Sequence, residues 1–330
     1  MINKIECTPA QIEFLKSIIS DFSPETWQME MAGRAGSSRY FLRLFHMDKS
    51  YVLVVWDGRD EDWPRFLKIQ NDLSSVVPFL PVIYKDDIIR GLILEEDLGS
   101  TTLKNFVQNT ANPENIIREY KSVLDAIFIW QNMKIDTSPV IAARSMDLET
   151  FLWESWYFAH YCVTDYFACE HLLNSAWEKE RNVLANEAAA LPKVCIHRDF
   201  QSENVMLRFG RIRFVDYQGA RLGPAGYDIA SLLFDPYIES LDQSMVTELF
   251  KYYCSLHSGH FDERAFYICA AQRLMQALGA YGNLSLHKGK QWYRDYIPVA
   301  IDRLLLVLNN LPEFPAISQV VSMCKDSLNR

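Results

Sequence analysis

Residues 196–207 read IHRDFQSENVML, a stretch that combines a proton acceptor with a candidate metal ligand. Asp199 follows a histidine and an arginine, and Asn204 comes five positions after it. A short apolar segment then ends in another acid, Asp216, at the start of DYQGA. A carboxylate can take a proton from a hydroxyl group, and carboxylate and amide oxygens are the ligands that Mg²⁺ prefers. The two fragments therefore predict a site in which a hydroxyl group, a base and a metal ion meet.

The bulk composition is that of a globular protein long enough for one large domain or two lobes. The chain has 330 residues, of which 49% are hydrophobic and 23% are charged. A formal net charge of −9 argues against nucleic-acid binding but leaves room for a small anion held by a few arginines. The seven cysteines form no CxxC pair, and no apolar run has the length of a signal peptide or a membrane span. We therefore expect a cytoplasmic protein with reduced thiols and with neither nucleic-acid nor membrane partners.

The first hundred residues are predicted to form a helix and then an antiparallel meander. Thr8, Pro9 and Gln11 have the spacing of a capping box with a proline in the first turn, which predicts a helix start. Alternation of apolar and polar residues then predicts strands, because successive side chains of a strand point to opposite faces. The strands are expected at 27–32, 39–46, 51–56, 82–84 and 91–95, with a helix at 66–73.

Helical periodicity dominates from Thr101 onward. Long helices are expected at 115–130, 148–167 and 172–190, and short strands at 194–196 and 212–215. Strands first and helices second predict an α+β fold of two lobes with a boundary near residue 98.

The spacing HRD-x4-N, followed by an acid at the end of a strand, is typical of protein-kinase-like phosphotransferases. In that arrangement Asp199 is the catalytic base, and Asn204 and Asp216 hold Mg²⁺ at the phosphates of the nucleotide. The alternative is a structural turn with surface acids. The predicted strand–loop–strand context favours phosphoryl transfer.

The chain resembles the aminoglycoside phosphotransferase and choline kinase superfamily. Within it, the chain is similar to the bacterial anomeric kinases of N-acetylmuramate and N-acetylglucosamine, as VDYQGARLGP and QRLMQALGAYGNL indicate. The resemblance is carried by the segments 33–44, 92–99, 196–207, 215–233 and 272–284. It implies a protein-kinase-like, two-lobed fold. Residues 1–98 would form a small antiparallel-sheet lobe that binds ATP, and residues 99–330 a larger helical lobe for catalysis and acceptor binding.

Two positions depart from the family pattern. Gln201 stands where many relatives have histidine, and the third strand, YVLVVW, lacks the phosphate-binding lysine of kinases. The sugar-kinase branch is similar in lacking an obvious lysine there, so we expect another cation to neutralise the phosphates. Arg39 is the leading candidate, and Arg34 and Arg43 are weaker ones. The alternative for Arg39 is an exposed arginine on a strand.

The remaining candidates follow from the family order. Backbone groups of the glycine loop are expected to bind the nucleotide phosphates, and the alternative is a generic hairpin loop. Backbone groups of the strand end EEDLG are expected to bind adenine, and the alternative is an ordinary acidic strand end. The aromatic residues at 151–158 could stack on a sugar. The alternative for most of them is core packing, because Leu152, Trp156 and Ala159 have the spacing of a buried helical stripe. An exposed helix-end acid is the alternative for Asp235. The candidates are Gly33, Arg34, Gly36, Ser37, Ser38, Arg39, Glu96 and Leu98 for the nucleotide; His197, Arg198 and Asp228 for support of the catalytic loop; and Trp153, Trp156, Tyr157, Gln201 and Asp235 for the acceptor.

The resemblance implies ATP- and Mg²⁺-dependent phosphorylation of a small-molecule hydroxyl acceptor. The expected acceptor is the anomeric hydroxyl of an N-acetyl amino sugar, in cell-wall sugar recycling. A kinase of another small alcohol, such as an aminoglycoside or a choline-like compound, is the first alternative. A nucleotide-binding pseudokinase is the second. The intact Asp199, Asn204 and Asp216 argue against it, while the missing strand lysine keeps it open.

Overall fold

The protein is described by a computed structural model over residues 6–34, 39–57, 60–258 and 261–328, without the side chains of residues 33 and 34. Contacts within the chain form two compact units. The first comprises Met1–Leu103 and Asn204–Gln218, and the second comprises Lys104–Glu203 and Gly219–Arg330. The lobe boundary near residue 98 stays a prediction.

Short antiparallel strands form three separate sheets in the part of the chain that the structure describes. They are β1 (Gln28–Arg34), β2 (Tyr40–His46), β3 (Lys49–Val55), β4 (Ile83–Asp87), β5 (Leu92–Glu96), β6 (Lys193–Ile196), β7 (Val205–Arg208), β8 (Arg211–Phe214) and β9 (Arg221–Pro224). The first unit contains a five-stranded sheet in the order β1-β2-β3-β5-β4 and the hairpin of β7 with β8. In the second unit, β6 pairs with β9.

Helices make up most of the second unit. The α-helices of both units, in chain order, are α1 (Pro9–Lys16), α2 (Asp62–Leu73), α3 (Leu103–Gln108), α4 (Pro113–Gln131), α5 (Pro139–Ala142), α6 (Leu148–Tyr157), α7 (Ser175–Ala190), α8 (Ala225–Leu233), α9 (Gln243–Leu256), α10 (Glu263–Leu286), α11 (Ile297–Leu308) and α12 (Pro315–Leu328). Helix α10 packs against α6, α7, α8 and α11 and is the centre of this unit. Among the described helices, none combines the length and the apolar character needed to cross a membrane.

The core of the first unit lies between α1 and one face of the five-stranded sheet. The predicted capping box is confirmed, because the Thr8 hydroxyl accepts from the Gln11 amide and the Gln11 side chain accepts from the Thr8 amide. Leu42 and Leu44 of β2 are buried in the cluster that includes Leu15 of α1. Each such side chain contributes about 1.5–3 kcal/mol when buried. Because side chains alternate along a strand, the odd-numbered residues of β2 point to the opposite face.

The predicted helix 148–167 is two structures. Helix α6 ends at Tyr157, and a π-helix, Phe158–Tyr166, continues it. Helix α10 lies very close to this stretch, since a Cβ atom on Gly279 or Gly282 would lie 2.7 Å or less from backbone atoms of Tyr157 or Tyr161. Periodicity of apolar residues does not reveal such a close approach, and π-helical turns are frequent at functional sites.

Other differences concern short strands. The sequence did not predict β7 or β9, whose four residues each are too few to show a clear alternation. Strand β1 continues through Arg34 into the predicted glycine loop, and Gly36, Ser37 and Ser38 lie outside the described residues. The α+β class is confirmed, with an antiparallel sheet in one unit and helices in the other.

Candidate active site

The loop after β6 carries Asp199 and is held by one buried carboxylate of the second unit. Asp228, in the first turn of α8, accepts the backbone amides of His197 at 2.8 Å and of Arg198 at 2.9 Å. Complete burial raises the pKa of Asp228 to about 7, although these amide hydrogen bonds oppose the rise. Arg198 has a φ of +77°, a conformation that is unusual for a residue with a side chain and is often found at functional sites.

Asp199 lies among positive charges within the second unit. Burial acts to raise the pKa of its carboxyl, but the charges of Arg198, Arg273 and Arg221 outweigh it, and the pKa lies below its ordinary value. Arg198 Nη1 is 3.3 Å from Asp199 Oδ2. Asp199 is therefore ionised at neutral pH and able to accept a hydrogen bond from a hydroxyl group.

Asn204 and Asp216 flank the hairpin of β7 and β8 in the first unit. The Val215 amide donates to the Asn204 carbonyl at 3.0 Å, which brings the two ends of the hairpin together. Asp216 has a φ of +63°, again in the left-handed region. Its Oδ1 accepts from Gln218 Nε2 at 2.7 Å and from Arg39 Nη2 at 2.8 Å.

The donor set of this hairpin fits a magnesium ion. Asp216 Oδ2 accepts no hydrogen bond from the described residues, and the side chain is 37% exposed. A carboxylate oxygen and the amide oxygen of Asn204 are hard ligands of the kind that Mg²⁺ selects. The described residues hold no group of three or more histidine, cysteine or acidic side chains placed for a metal. A bound Mg²⁺ would therefore complete its shell with water and substrate phosphates, as it commonly does.

Arg39 is packed against this carboxylate. Its guanidinium lies 4.5 Å above the ring of Trp56, and its side chain is 13% exposed, so the alternative of an exposed strand arginine is wrong. Arg43 points to the same face but is held by Glu30 at 2.9 Å and by Asp97 at 3.1 Å. Arg39 thus contacts a candidate metal ligand, whereas Arg43 is neutralised by two carboxylates.

Replacement of Arg39 by alanine is expected to raise the ATP concentration for half-maximal rate by about tenfold or more and to lower turnover, because a guanidinium can bind two phosphate oxygens. The matched control is Arg43→Ala, which is expected to change the ATP requirement less. The Arg43→Ala variant is expected to unfold at a lower temperature instead, because Asp97, only 6% exposed, loses its cation. Steady-state kinetics and thermal unfolding of both variants test this, and an Arg39→Ala enzyme with an unchanged ATP requirement would contradict it.

The other nucleotide candidates offer mainly backbone groups. Glu96 Oε2 is 3.5 Å from Arg213 Nε and accepts from the Val82 amide at 3.2 Å, so its carboxylate is engaged within the sheet. Leu98 is buried at 7% exposure. Gly33 and Arg34 belong to β1 by their backbone. Adenine recognition by backbone groups near Leu98 stays a prediction.

Trp153 and Trp156 lie on the outer side of α6, whereas Tyr157 is half-buried and its hydroxyl accepts from Asn283 Nδ2 at 2.7 Å. Trp153 and Trp156 are each 45% exposed, so the predicted core stripe is wrong for Trp156. The buried side of the helix is instead Phe151, Glu154 and Ser155, one position away from the predicted stripe. The Trp153 ring stacks on Tyr157, with centroids 4.7 Å apart, and Trp156 stacks on His160 in the same way.

The two polar acceptor candidates have structural contacts. Asp235 is 1% exposed and accepts the amides of Ser202 at 2.7 Å and of Tyr237 at 3.0 Å, so the alternative of an exposed helix-end acid is wrong. Gln201 Oε1 accepts from Arg273 Nη2 at 3.3 Å.

The sequence reasoning missed several residues around Asp199. Glu154 is completely buried, accepts from the Tyr227 hydroxyl at 2.7 Å and has a pKa that burial raises to about 7. Arg273 is 7% exposed. An arginine inside the mostly apolar stretch QRLMQALGAYG is the signal available for this cluster, because a charge on a buried helix needs a partner.

Comparisons with known proteins cover most of the chain. A family model described as the phosphotransferase enzyme family matches residues 16–267. The N-acetylmuramate/N-acetylglucosamine kinase of Pseudomonas putida is 23% identical over 316 residues, which cover 91% of each chain. The kinase of the same name from Neisseria meningitidis serogroup B is 26% identical over 305 residues, which cover 89% of this chain and 90% of the relative.

A solved structure supports the fold. The ADP-bound aminoglycoside phosphotransferase APH(2'')-Ib has a TM-score of 0.60 at 14% identity, and the match covers 89% of this chain and 97% of the other. This likeness confirms the protein-kinase-like fold that the family resemblance implied.

Proposed function

Because the chain belongs to the phosphotransferase enzyme family, we propose that it is a kinase of an N-acetyl amino sugar and transfers the γ-phosphoryl group of ATP to the anomeric hydroxyl. The curated relatives support this acceptor, since their shared name contains N-acetylmuramate and N-acetylglucosamine. The ADP in the solved relative supports an adenine nucleotide as the donor. We also propose that the reaction serves cell-wall sugar recycling in the cytoplasm, where ATP is available.

The observation that carries this choice of acceptor is the group of three arginines whose charges act on Asp199. Arg198, Arg221 and Arg273 all act on its carboxyl. Aminoglycosides and choline-like alcohols are cations and would be repelled there, because like charges brought together oppose binding. A neutral or anionic sugar meets no such repulsion. The charge distribution therefore favours an N-acetyl sugar over both alternative acceptors.

The chemistry can be assigned to named residues. The acceptor hydroxyl gives its proton to Asp199 while its oxygen bonds to the γ-phosphorus, and the bond from that phosphorus to the bridging oxygen breaks to release ADP. Asn204 and Asp216 would hold Mg²⁺, which offsets phosphate charge when bound. Arg39 adds a guanidinium for the phosphate oxygens. The pseudokinase alternative rested on a missing cation, and Arg39 supplies one.

An acceptor panel tests the proposal. ADP formation is measured with ATP and Mg²⁺ in the presence of N-acetylmuramate, N-acetylglucosamine, kanamycin, choline or no acceptor. We expect acceptor-dependent ADP with at least one of the two N-acetyl sugars and none with the two cations. Activity confined to kanamycin or choline would support the first alternative, and ADP formation with none of the four would contradict the proposed acceptor.

A further inference from the structure

Arg273 is a buried charge whose side-chain hydrogen bonds all go to neutral groups. It lies in the middle of α10 with 7% of its surface exposed. Its Nε donates to Ser231 Oγ at 3.0 Å, its Nη2 to Gln201 Oε1 at 3.3 Å, and its Nη1 to the Gln276 side chain, and all three partners are neutral. No ion pair of 4.0 Å or less joins it to a carboxylate of the described residues. The carboxylates of Asp199 and Glu154 act on this guanidinium from more than 4.0 Å, so it lacks a close anionic partner, which an anionic ligand would supply.

A second arginine of the same unit shares this property. Arg221, on β9, is half-buried, and its Nε donates to the Gly219 carbonyl at 3.0 Å. It too has no carboxylate within 4.0 Å among the described residues. Arg198 differs, because it is 3.3 Å from Asp199 Oδ2 and 3.8 Å from Glu154 Oε1. Two guanidinium groups of this cluster are therefore available to a ligand.

Both arginines are tied to the immediate surroundings of Asp199. A Cβ atom on Gly219 would be 3.1 Å from Asp199 Oδ2, so the residue to which Arg221 donates lies directly against the proposed base. Gln201, which Arg273 contacts, donates its amide to the Asp199 carbonyl at 2.9 Å. An anion bound by the two arginines would therefore be part of the molecule whose hydroxyl group reaches Asp199.

We propose that Arg273 and Arg221 form an anion subsite for a carboxylate on the acceptor, so that a carboxylate-bearing amino sugar is preferred to its neutral counterpart. This inference rests on the proposed function and names the acceptor class within it. N-Acetylmuramate differs from N-acetylglucosamine by a lactyl ether that ends in a carboxylate. A guanidinium binds a carboxylate through two parallel hydrogen bonds, and the neutral side chains around Arg273 fix its orientation without neutralising it.

The test is the ratio of kcat/KM for N-acetylmuramate to kcat/KM for N-acetylglucosamine. The ratio is expected to exceed one in the wild-type enzyme and to fall by roughly 10- to 100-fold in Arg273→Gln, the factor that charge-assisted hydrogen bonds are worth. Arg264→Gln is the matched control on the same helix. It is exposed and pairs with Glu187 and Glu313, so the ratio should stay at the wild-type value.

The same ratio distinguishes failure of the anion subsite from failure of the proposed function. Equal loss for both sugars in Arg273→Gln would show that the arginine serves Asp199 or the phosphates, and would overturn the subsite while leaving the proposed function in place. A wild-type preference for the neutral sugar would overturn it as well. A wild-type enzyme that phosphorylates neither sugar would overturn the proposed function itself. If Arg273→Gln does not fold, Arg221→Gln decides: a reduced ratio supports the subsite, and an unchanged ratio overturns it.

Discussion

Replacement of Asp199 by asparagine is expected to lower turnover by about 10²–10⁴, the usual contribution of a positioned general base. Asparagine has nearly the same shape, but its amide does not take a proton from the acceptor hydroxyl. The loop should keep its conformation, because Asp228 holds it through the backbone amides of His197 and Arg198. The loss should therefore fall on turnover, with folding and nucleotide binding largely kept.

Three measurements separate these effects in the Asp199→Asn enzyme: turnover at saturating substrates, nucleotide affinity by calorimetry, and the unfolding temperature. Asp302→Asn is a suitable control, because this exposed carboxylate pairs with the surface residue Lys325 and such pairs contribute little. Wild-type turnover in Asp199→Asn would remove this residue from the role of base.

Replacement of Asp216 by alanine is expected to act on the metal. Removal of groups that merely support a metal ligand costs about 10- to 100-fold in affinity, so loss of the carboxylate should weaken the apparent Mg²⁺ affinity by at least that factor. Arg39 loses its partner at 2.8 Å in this variant and keeps its charge. Nucleotide binding measured without metal should therefore fall little, if at all.

The Asp216→Ala prediction is tested by titrating Mg²⁺ at fixed ATP and measuring the rate. Asp87→Ala provides the matched control, since Asp87 is an acid at a strand end of the first unit that pairs with the exposed Arg90. An Asp216→Ala enzyme with the metal dependence of the wild type would place Asp216 outside the coordination sphere.

Local patterns predicted those features whose cause is local. The helix start at Thr8 depends on residues three positions apart, and the sequence shows both partners of the capping box. The π-helix after Tyr157 was missed because no periodicity within 148–167 reveals it, nor the close approach of the α10 backbone that Gly282 allows there. The burial of Asp235 has a similar origin, since its amide donors include Ser202, 33 positions away.

The candidate site shows the same limit. Strand alternation placed Arg39 and Arg43 on one face, and the sequence separated them only by distance from the glycine loop. Their partners separate them in the structure, and these lie 177 positions away for Arg39 and up to 54 positions away for Arg43. Arg273 differs, because its neighbours in the sequence indicate a buried charge but not its partners, of which Ser231 and Gln201 lie 42 and 72 positions away.

The position of the phosphate on the product tests the central claim most directly. The enzyme is incubated with ATP, Mg²⁺ and N-acetylmuramate, and the product is analysed by phosphorus NMR with proton coupling. We expect a sugar phosphate whose phosphorus couples to the single anomeric proton, and its formation should be lost in Asp199→Asn. A phosphorus coupled to the protons of the exocyclic carbon, or the absence of a sugar phosphate with N-acetylglucosamine as well, would contradict phosphorylation of an anomeric hydroxyl.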